Sequence, residues 1–162
     1  MSIPPEWSAP IRRDDPFYSA KRRFRTAIAN GEDIVRIVSR FLVDQDKATF
    51  VEEVDPQTGD RIAKVKLVGR LPESLDVTMA ETFEHLRHAL DIACHATART
   101  SARPRPKKTH FPFADNPADL EGIIRRNSKH LPDEIIAVAR SLKPYKGGND
   151  ALWAVNKAAN FK

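Results

Sequence analysis

Apolar residues recur at steps of mostly three and four between positions 17 and 42, which is the period of a helix with one buried face. The pattern predicts one long helix, or two helices joined at Gly31. The residues that form it are Phe17, Ala20, Phe24, Ile28, Val35, Val38 and Leu42.

A second long helix is predicted between residues 78 and 100. Thr78 and Glu81 have the spacing of a capping box, in which the two side chains satisfy free backbone N–H groups at a helix start. Cys94 lies on the apolar face of this helix and is the only cysteine, so we interpret it as a small core residue rather than a nucleophile. That face consists of Met79, Phe83, Leu86, Leu90, Ala93 and Cys94.

A β-hairpin is predicted between the two long helices, at about residues 48–69. Two β-rich runs flank the segment Asp55–Asp60, whose proline and glycine suit a chain reversal. An isolated hairpin is only marginally stable. We therefore expect it to pack on the helices as a two-stranded appendage.

Prolines divide the remainder of the chain into a loop and three short helices. The loop follows residue 100, where closely spaced prolines forbid continuous helix. Helix-start signals at Asn116, Leu131-Pro132 and Asp150 predict the short helices, the first of them over residues 117–127. The predicted fold is mainly α, a helical bundle of two long and three short helices with one β-hairpin.

The length of the chain limits the number of domains, and its first residues bear on its localisation. With 162 residues, the chain has the size of one domain, so we expect a flexible segment at 1–15 and a single helical domain at 16–162. The start of the chain lacks the apolar run of a signal peptide, and no stretch approaches the roughly 20 apolar residues that cross a bilayer. A soluble, cytoplasmic protein without a membrane partner is predicted.

The positive charge of the chain belongs to one segment. The chain has 27 Lys and Arg against 22 Asp and Glu, and a run of five cations without any acid lies between Asp91 and Asp115. These five account for the whole surplus of +5. They are Arg99, Arg103, Arg105, Lys107 and Lys108.

Two interpretations of this basic segment are open. The five cations are candidate nucleic-acid-binding residues that would neutralise phosphates, with Phe111 and Phe113 available to stack on unpaired bases. Alternatively, the segment is a solvated connector, and its two phenylalanines anchor it to the core.

Four side chains that could bind a metal are stacked on the second long helix, at spacings of four, three and four. They lie opposite its apolar face, and a second helix with matching ligands is not evident. We therefore favour a solvated helix face, and we predict neither a metal nor a cofactor. The four are Glu84, His88, Asp91 and His95.

An arginine precedes a histidine by four intervening residues at Arg105–His110 and at Arg125–His130. This spacing occurs in the nuclease motif of HEPN-type helical ribonucleases. Neither pair has a helical setting that would aim both side chains into one cleft. Either histidine could act as an acid or a base, but the sequence does not indicate a partner for it.

Four sequence segments together resemble a widespread family of uncharacterised bacterial proteins that carry patterns like HNLRSALDH and NIDKHR. The matching residues include Arg87 and Asp91 in the first pattern and Asn160 in the last. Glu84 and His85 depart from the family, which often has His and Asn there. The segments are HLRHALD at 85–91, HFPF at 110–113, LKPYKGG at 142–148 and LWAVNKAANFK at 152–162.

The resemblance implies a HEPN-like helical fold and ranks Arg87 and Asp91 as candidate catalytic residues. One helical turn separates them, so their spacing suits a surface ion pair. The terminal Lys-His-Arg of the family would lie just beyond Lys162, and we expect the natural chain to continue there.

Three functional hypotheses follow. The first is a HEPN-like module that binds RNA or a protein partner, and the chain as given favours this binding role over catalysis. The second is a metal-independent endoribonuclease of toxin or defence type, which would use Arg87 or the missing terminal histidine in a homodimer. The third is a structural subunit without catalysis.

Overall fold

Two long helices dominate the computed structural model, which describes residues 9–44, 46–101 and 109–160. Helix α1 is Tyr18–Val43 and runs without a break through Gly31, so the one-helix alternative is confirmed. The apolar pattern is only partly confirmed, because Val35 is 66% exposed whereas Ala27 and Phe41 are buried.

Helix α2 is Glu73–Thr100 and begins five residues before the predicted start. The predicted capping box is therefore wrong. Thr78 lies inside the helix, where its hydroxyl donates to the carbonyl of Ser74 over 2.7 Å. The helix instead starts directly after Pro72. Glu73 and Asp76 lie in its first turn, where negative charges interact favourably with the positive end of the helix dipole.

The predicted hairpin is present. Strand β1 is Ala48–Val54 and pairs antiparallel with strand β2, Arg61–Leu67. The reversal is closed by a hydrogen bond from Asp55 N to Asp60 O over 2.8 Å, and Gly59 has a φ of 76° that favours glycine. All residues of β2 are exposed, so the expectation that the hairpin packs one face on the helices is wrong for this strand.

Three short helices follow in the last third of the chain: α3 is Pro117–Ile123, α4 is Asp133–Ser141 and α5 is Asp150–Ala159. Asn116 caps α3 as predicted, because its side chain accepts from Asp119 N over 3.1 Å. The cap of α5 is Asn149 rather than Asp150. A π-helical turn, Ile124–Ser128, continues α3 and was not predicted.

The chain divides into two compact units, Met1–Ala29 with Ala80–Lys162, and Asn30–Met79. In the first unit, apolar side chains from the second half of α2, from the segment after the basic loop and from α3, the π turn and α4 form one buried core. Its members are Cys94, Ala98, Phe111, Ala114, Leu120, Ile124, Leu131, Ile136 and Ala139. The second unit buries Phe41, Ala48 and Leu75.

The described chain therefore contains five α-helices and one two-stranded hairpin, which confirms the mainly α class. Within the described ranges, every helix is too short or too polar to cross a membrane. Four of the five predicted nucleic-acid-binding residues, Arg103, Arg105, Lys107 and Lys108, lie outside the described residues, as does the predicted N-terminal segment up to residue 8.

Candidate functional site

Arg87 and Asp91 lie one turn apart on α2, but they do not form the ion pair that their spacing predicts. The Arg87 guanidinium binds Asn160, and the Asp91 carboxylate binds the chain at Phe111. Each therefore connects α2 to a different, distant part of the sequence.

The carboxylate of Asp91 has two partners in the segment that follows the basic loop. Its Oδ1 accepts a hydrogen bond from Phe111 N over 2.9 Å. Its Oδ2 lies 3.5 Å from Nδ1 of His110. Only 16% of the Asp91 side chain is exposed, whereas 49% of the His110 side chain is. The imidazole is thus open to solvent and rests against a half-buried carboxylate.

The backbone of His110 is held on both sides by the π turn. Its N–H donates to the carbonyl of Asn127 over 3.0 Å, and its carbonyl accepts from the Ser128 hydroxyl over 2.8 Å. Ser128 is 1% exposed. A π turn contains one residue more than an α-turn, and such turns often lie at functional sites. Together with the bond from Phe111 to Asp91, these contacts fix the position of the histidine.

The guanidinium of Arg87 is positioned by the end of α5. Its Nη1 donates to Oδ1 of Asn160 over 3.0 Å. The orientation of the Asn160 amide follows from its other contact, because its nitrogen donates to the carbonyl of Asn156 over 2.6 Å. The amide oxygen is therefore left to face the arginine.

The structure thus brings together two residues that the sequence singled out, Arg87 and Asn160, and it gives Asp91 separate partners in His110 and Phe111. Sequence reasoning considered His110 but did not find its partner, Asp91. The only signal in the sequence for this site was the position of His110 directly before Phe111-Pro112. Both of these residues are buried, so they fix the position of the chain next to the histidine.

The other candidate residues do not assemble into a site. Glu84, His88 and His95 are exposed on α2, which confirms the solvated-face interpretation for these three. Among the described residues, His, Cys, Asp and Glu do not form any group of three that could hold a metal ion. Arg125 is exposed in the π turn and His130 is half-buried after it.

The two phenylalanines after the basic loop are not available for base stacking. Phe111 is 8% exposed and belongs to the core, and Phe113 packs against that core. Their ring centroids are 4.8 Å apart. The part of the alternative interpretation that has the two phenylalanines anchor the segment to the core is therefore confirmed.

Cys94 is confirmed as a core residue. It is 6% exposed and lies in the cluster described above. Burial, with a smaller contribution from the nearby Asp91 charge, raises the pKa of its thiol to about 12. A thiol of this kind stays protonated and is a poor nucleophile.

The basic segment connects the last turn of α2 to Thr109, which directly precedes His110. The chain leaves α2 after Thr100, and Arg99 is exposed in the last turn. It is described again from Thr109, next to the histidine that faces Asp91. Asp91 and Thr100 are roughly 14 Å apart along the helix axis at about 1.5 Å per residue.

Comparison with protein-family models finds no match to this chain, and comparisons with curated proteins and with solved structures find none either.

Proposed function

We propose that this chain is a HEPN-like helical module that binds single-stranded RNA at the surface around Arg87 and His110. The observation that carries the proposal is the attachment of the basic segment. Four cations at positions 103–108 are connected on one side to the end of α2 and on the other to His110, which faces Asp91. Along the chain, these cations therefore stand between the end of α2 and the histidine of this site.

Charge favours a phosphate-bearing ligand over an uncharged one. The basic segment, which begins with Arg99 in the last turn of α2, accounts for the whole positive surplus of the chain. The one carboxylate inside the site, Asp91, is occupied by Phe111 N and His110. Lys and Arg that neutralise phosphates supply most of the affinity of sequence-independent binding.

RNA is favoured over double-stranded DNA by the shape of the surface. The described part of this surface presents one exposed imidazole and the Arg87 guanidinium, and helices α3 and α4 have only seven and nine residues. Base readout in a DNA major groove commonly uses a protruding helix or a two-stranded ribbon. The resemblance to a HEPN-like family also supports an RNA ligand.

The proposal is tested by the affinity of the purified chain for a labelled single-stranded RNA, measured by fluorescence anisotropy over a range of salt concentrations. Replacing Arg103, Arg105, Lys107 and Lys108 by Ala should weaken binding. It should also reduce the slope of log K against log salt by roughly 0.7 for each lost phosphate contact.

The matched control removes four other exposed cations, Arg13, Arg61, Lys64 and Lys66, and so lowers the net charge equally. It should change the slope much less. If the slope of log K against log salt were equal in the two variants, the basic segment would not be the part of the chain that contacts the RNA phosphates. Absence of RNA binding by the unmodified chain would overturn the proposal and favour a protein partner or a structural role.

A further inference from the structure

We propose that the first compact unit binds a fatty acid, with the hydrocarbon chain of the ligand in a cleft between α1, α2 and α5 and its carboxylate beside Lys21. Two cavities that share Lys21 carry this inference, one apolar and one basic. Their lining residues differ from those around Arg87 and His110, so the inference is independent of the proposed RNA binding.

The apolar cleft has a volume of about 440 Å³. Pockets for small ligands have volumes of roughly 300–1,000 Å³ and mostly apolar walls. The larger apolar side chains that line the cleft are Phe17, Phe24, Leu86, Leu90, Leu152 and Val155. Of the described residues that line it, only Lys21 has a polar side chain. The cleft therefore suits a ligand whose own surface is apolar over most of its length.

Three alanines leave the cleft open where larger side chains would fill it. Ala20 lies on α1, and Ala89 and Ala93 lie one turn apart on α2. Because helix residues four positions apart share a face, the two alanines of α2 line the same side of the cleft. A hydrocarbon chain in this space would remove the surrounding apolar surface from water, which favours binding.

The second cavity has a volume of about 310 Å³ and lies next to the start of α1. Its ionisable lining residues are three cations and one carboxylate, namely Arg12, Lys21, Arg25 and Asp15. A second carboxylate, Asp14, pairs with Arg12 over 2.7 Å. Three cations against two carboxylates leave one net positive charge, which a single carboxylate of a ligand would neutralise.

Lys21 lines both cavities and so marks the boundary between them. Its Nζ lies 2.6 Å from Oδ2 of Asp15, and 49% of its side chain is exposed. Oδ1 of Asp15 accepts a hydrogen bond from Phe17 N over 2.7 Å, which holds this carboxylate at the start of α1. A lysine lays its hydrocarbon stem along apolar surface while its ammonium stays in water. Because an ammonium has three N–H donors and Asp15 takes one, donors remain for a ligand carboxylate.

The combination of the two cavities favours a fatty acid over other occupants. A peptide would bring backbone N–H and C=O groups into a cleft with apolar walls, and burying such groups without partners is costly. A hydrocarbon without a head group would leave the basic cavity unused. A hydrocarbon chain with one terminal carboxylate matches both cavities.

Binding is tested by isothermal titration calorimetry of the full chain with octanoate, decanoate and dodecanoate, each below the concentration at which it forms micelles. Binding should be saturable, and each added CH₂ group should tighten it by about threefold. Decanol, which has the chain of decanoate without the charge, should bind about fivefold more weakly. An affinity that does not depend on chain length, or that is equal for decanoate and decanol, would overturn the proposal.

The role of the lysine is tested by Lys21→Met, which keeps an apolar stem and removes the charge. This variant should bind decanoate about fivefold more weakly and decanol as well as the unmodified chain does. Lys66→Met, at an exposed lysine on β2, is the matched control and should leave both affinities unchanged. A preference for decanoate over decanol that persists in Lys21→Met contradicts the assigned head-group site.

The cleft itself is tested by filling it. Ala93→Leu should weaken decanoate binding by about tenfold or more, because the added side chain occupies the space of the ligand. Ala151→Leu reaches the same cleft from an exposed position on α5 and serves as the test if Ala93→Leu does not fold. Ala154→Leu, also exposed on α5 but outside the lining, is the matched control and should bind normally. Unchanged affinity in a folded cleft variant would overturn the proposal.

Sedimentation velocity distinguishes the remaining occupant, which is a second copy of the chain. If the unmodified chain is a dimer that Ala151→Leu dissociates, and decanoate does not bind, the cleft is an interface between copies and the proposal is wrong. The affinity for single-stranded RNA should stay unchanged in the cleft variants. The two proposals therefore fail separately.

Discussion

Arg87 Nη1 donates a hydrogen bond to Asn160 Oδ1 over 3.0 Å and so joins α2 to the end of α5, 73 residues further along the chain. The contact ties the last described residue to the helix that carries Asp91.

The contact between Arg87 and Asn160 should stabilise the fold measurably. A hydrogen bond of this kind contributes about 0.5–1.5 kcal/mol, and we expect a coupling energy in that range from a double-mutant cycle of Arg87→Ala and Asn160→Ala. Chemical denaturation provides the four free energies of unfolding. A coupling energy near zero would mean that the two side chains do not act together in solution.

Asp91 should matter for stability through the backbone of Phe111. Asp91→Ala leaves the N–H of a buried residue without its acceptor, so the free energy of unfolding should fall by about 1–3 kcal/mol. Asp91→Asn keeps an oxygen at the same place and should cost less than about 1 kcal/mol. Urea denaturation of the two variants checks the difference, and equal losses would contradict the assigned contact.

The Cys94 thiol should be almost unreactive in the folded protein. Because burial raises the pKa of this thiol to about 12, reaction with an aromatic disulfide at pH 8 should be at least about tenfold slower in the native chain than in the denatured chain. The folded state keeps the thiol neutral while the unfolded state ionises it above its ordinary pKa. Stability should therefore fall as the pH rises from about 9 towards 12, and Cys94→Ala should lack this component.

Gly148 and Gly31 should respond in opposite directions to replacement by alanine. A Cβ at Gly148 would lie 2.6 Å from the carbonyl oxygen of Lys143 and 2.6 Å from the ring of Tyr145, so Gly148→Ala should cost about 1–3 kcal/mol. At Gly31, inside α1, a Cβ meets nothing within 4 Å, and Gly31→Ala should stabilise by about 0.5–1 kcal/mol. Thermal unfolding midpoints that move in the same direction would contradict this assignment.

Local patterns in the sequence were sufficient for most of the secondary structure. The helix period predicted α1, the reversal at Asp55–Asp60 predicted the hairpin, and Asn116 marked the start of α3. These features depend on residues within a few positions of one another, whose spacing directly reflects backbone geometry. The start of α2 was predicted wrongly, because the spacing of Thr78 and Glu81 resembles a capping box although the helix begins directly after Pro72.

The candidate site was only half predictable. Arg87 and Asp91 were singled out from a pattern within one helix. The period of that helix predicted that they lie one turn apart. Their partners did not, because Phe111 lies 20 residues and Asn160 73 residues away. The π turn that holds His110 was also missed, since it ends its helical stretch and no further turn follows in which a shift of the apolar pattern would show.

The sequence by itself therefore determined the helices, the hairpin and the concentration of positive charge in one proline-broken segment. Only the tertiary structure decided that this segment ends at a histidine held against Asp91. It also decided that Phe111 and Phe113 pack inward instead of facing a ligand. The physical reason is that helices and turns arise from short-range backbone geometry. The pairing of distant side chains depends instead on how the loops close and on which apolar groups share the core.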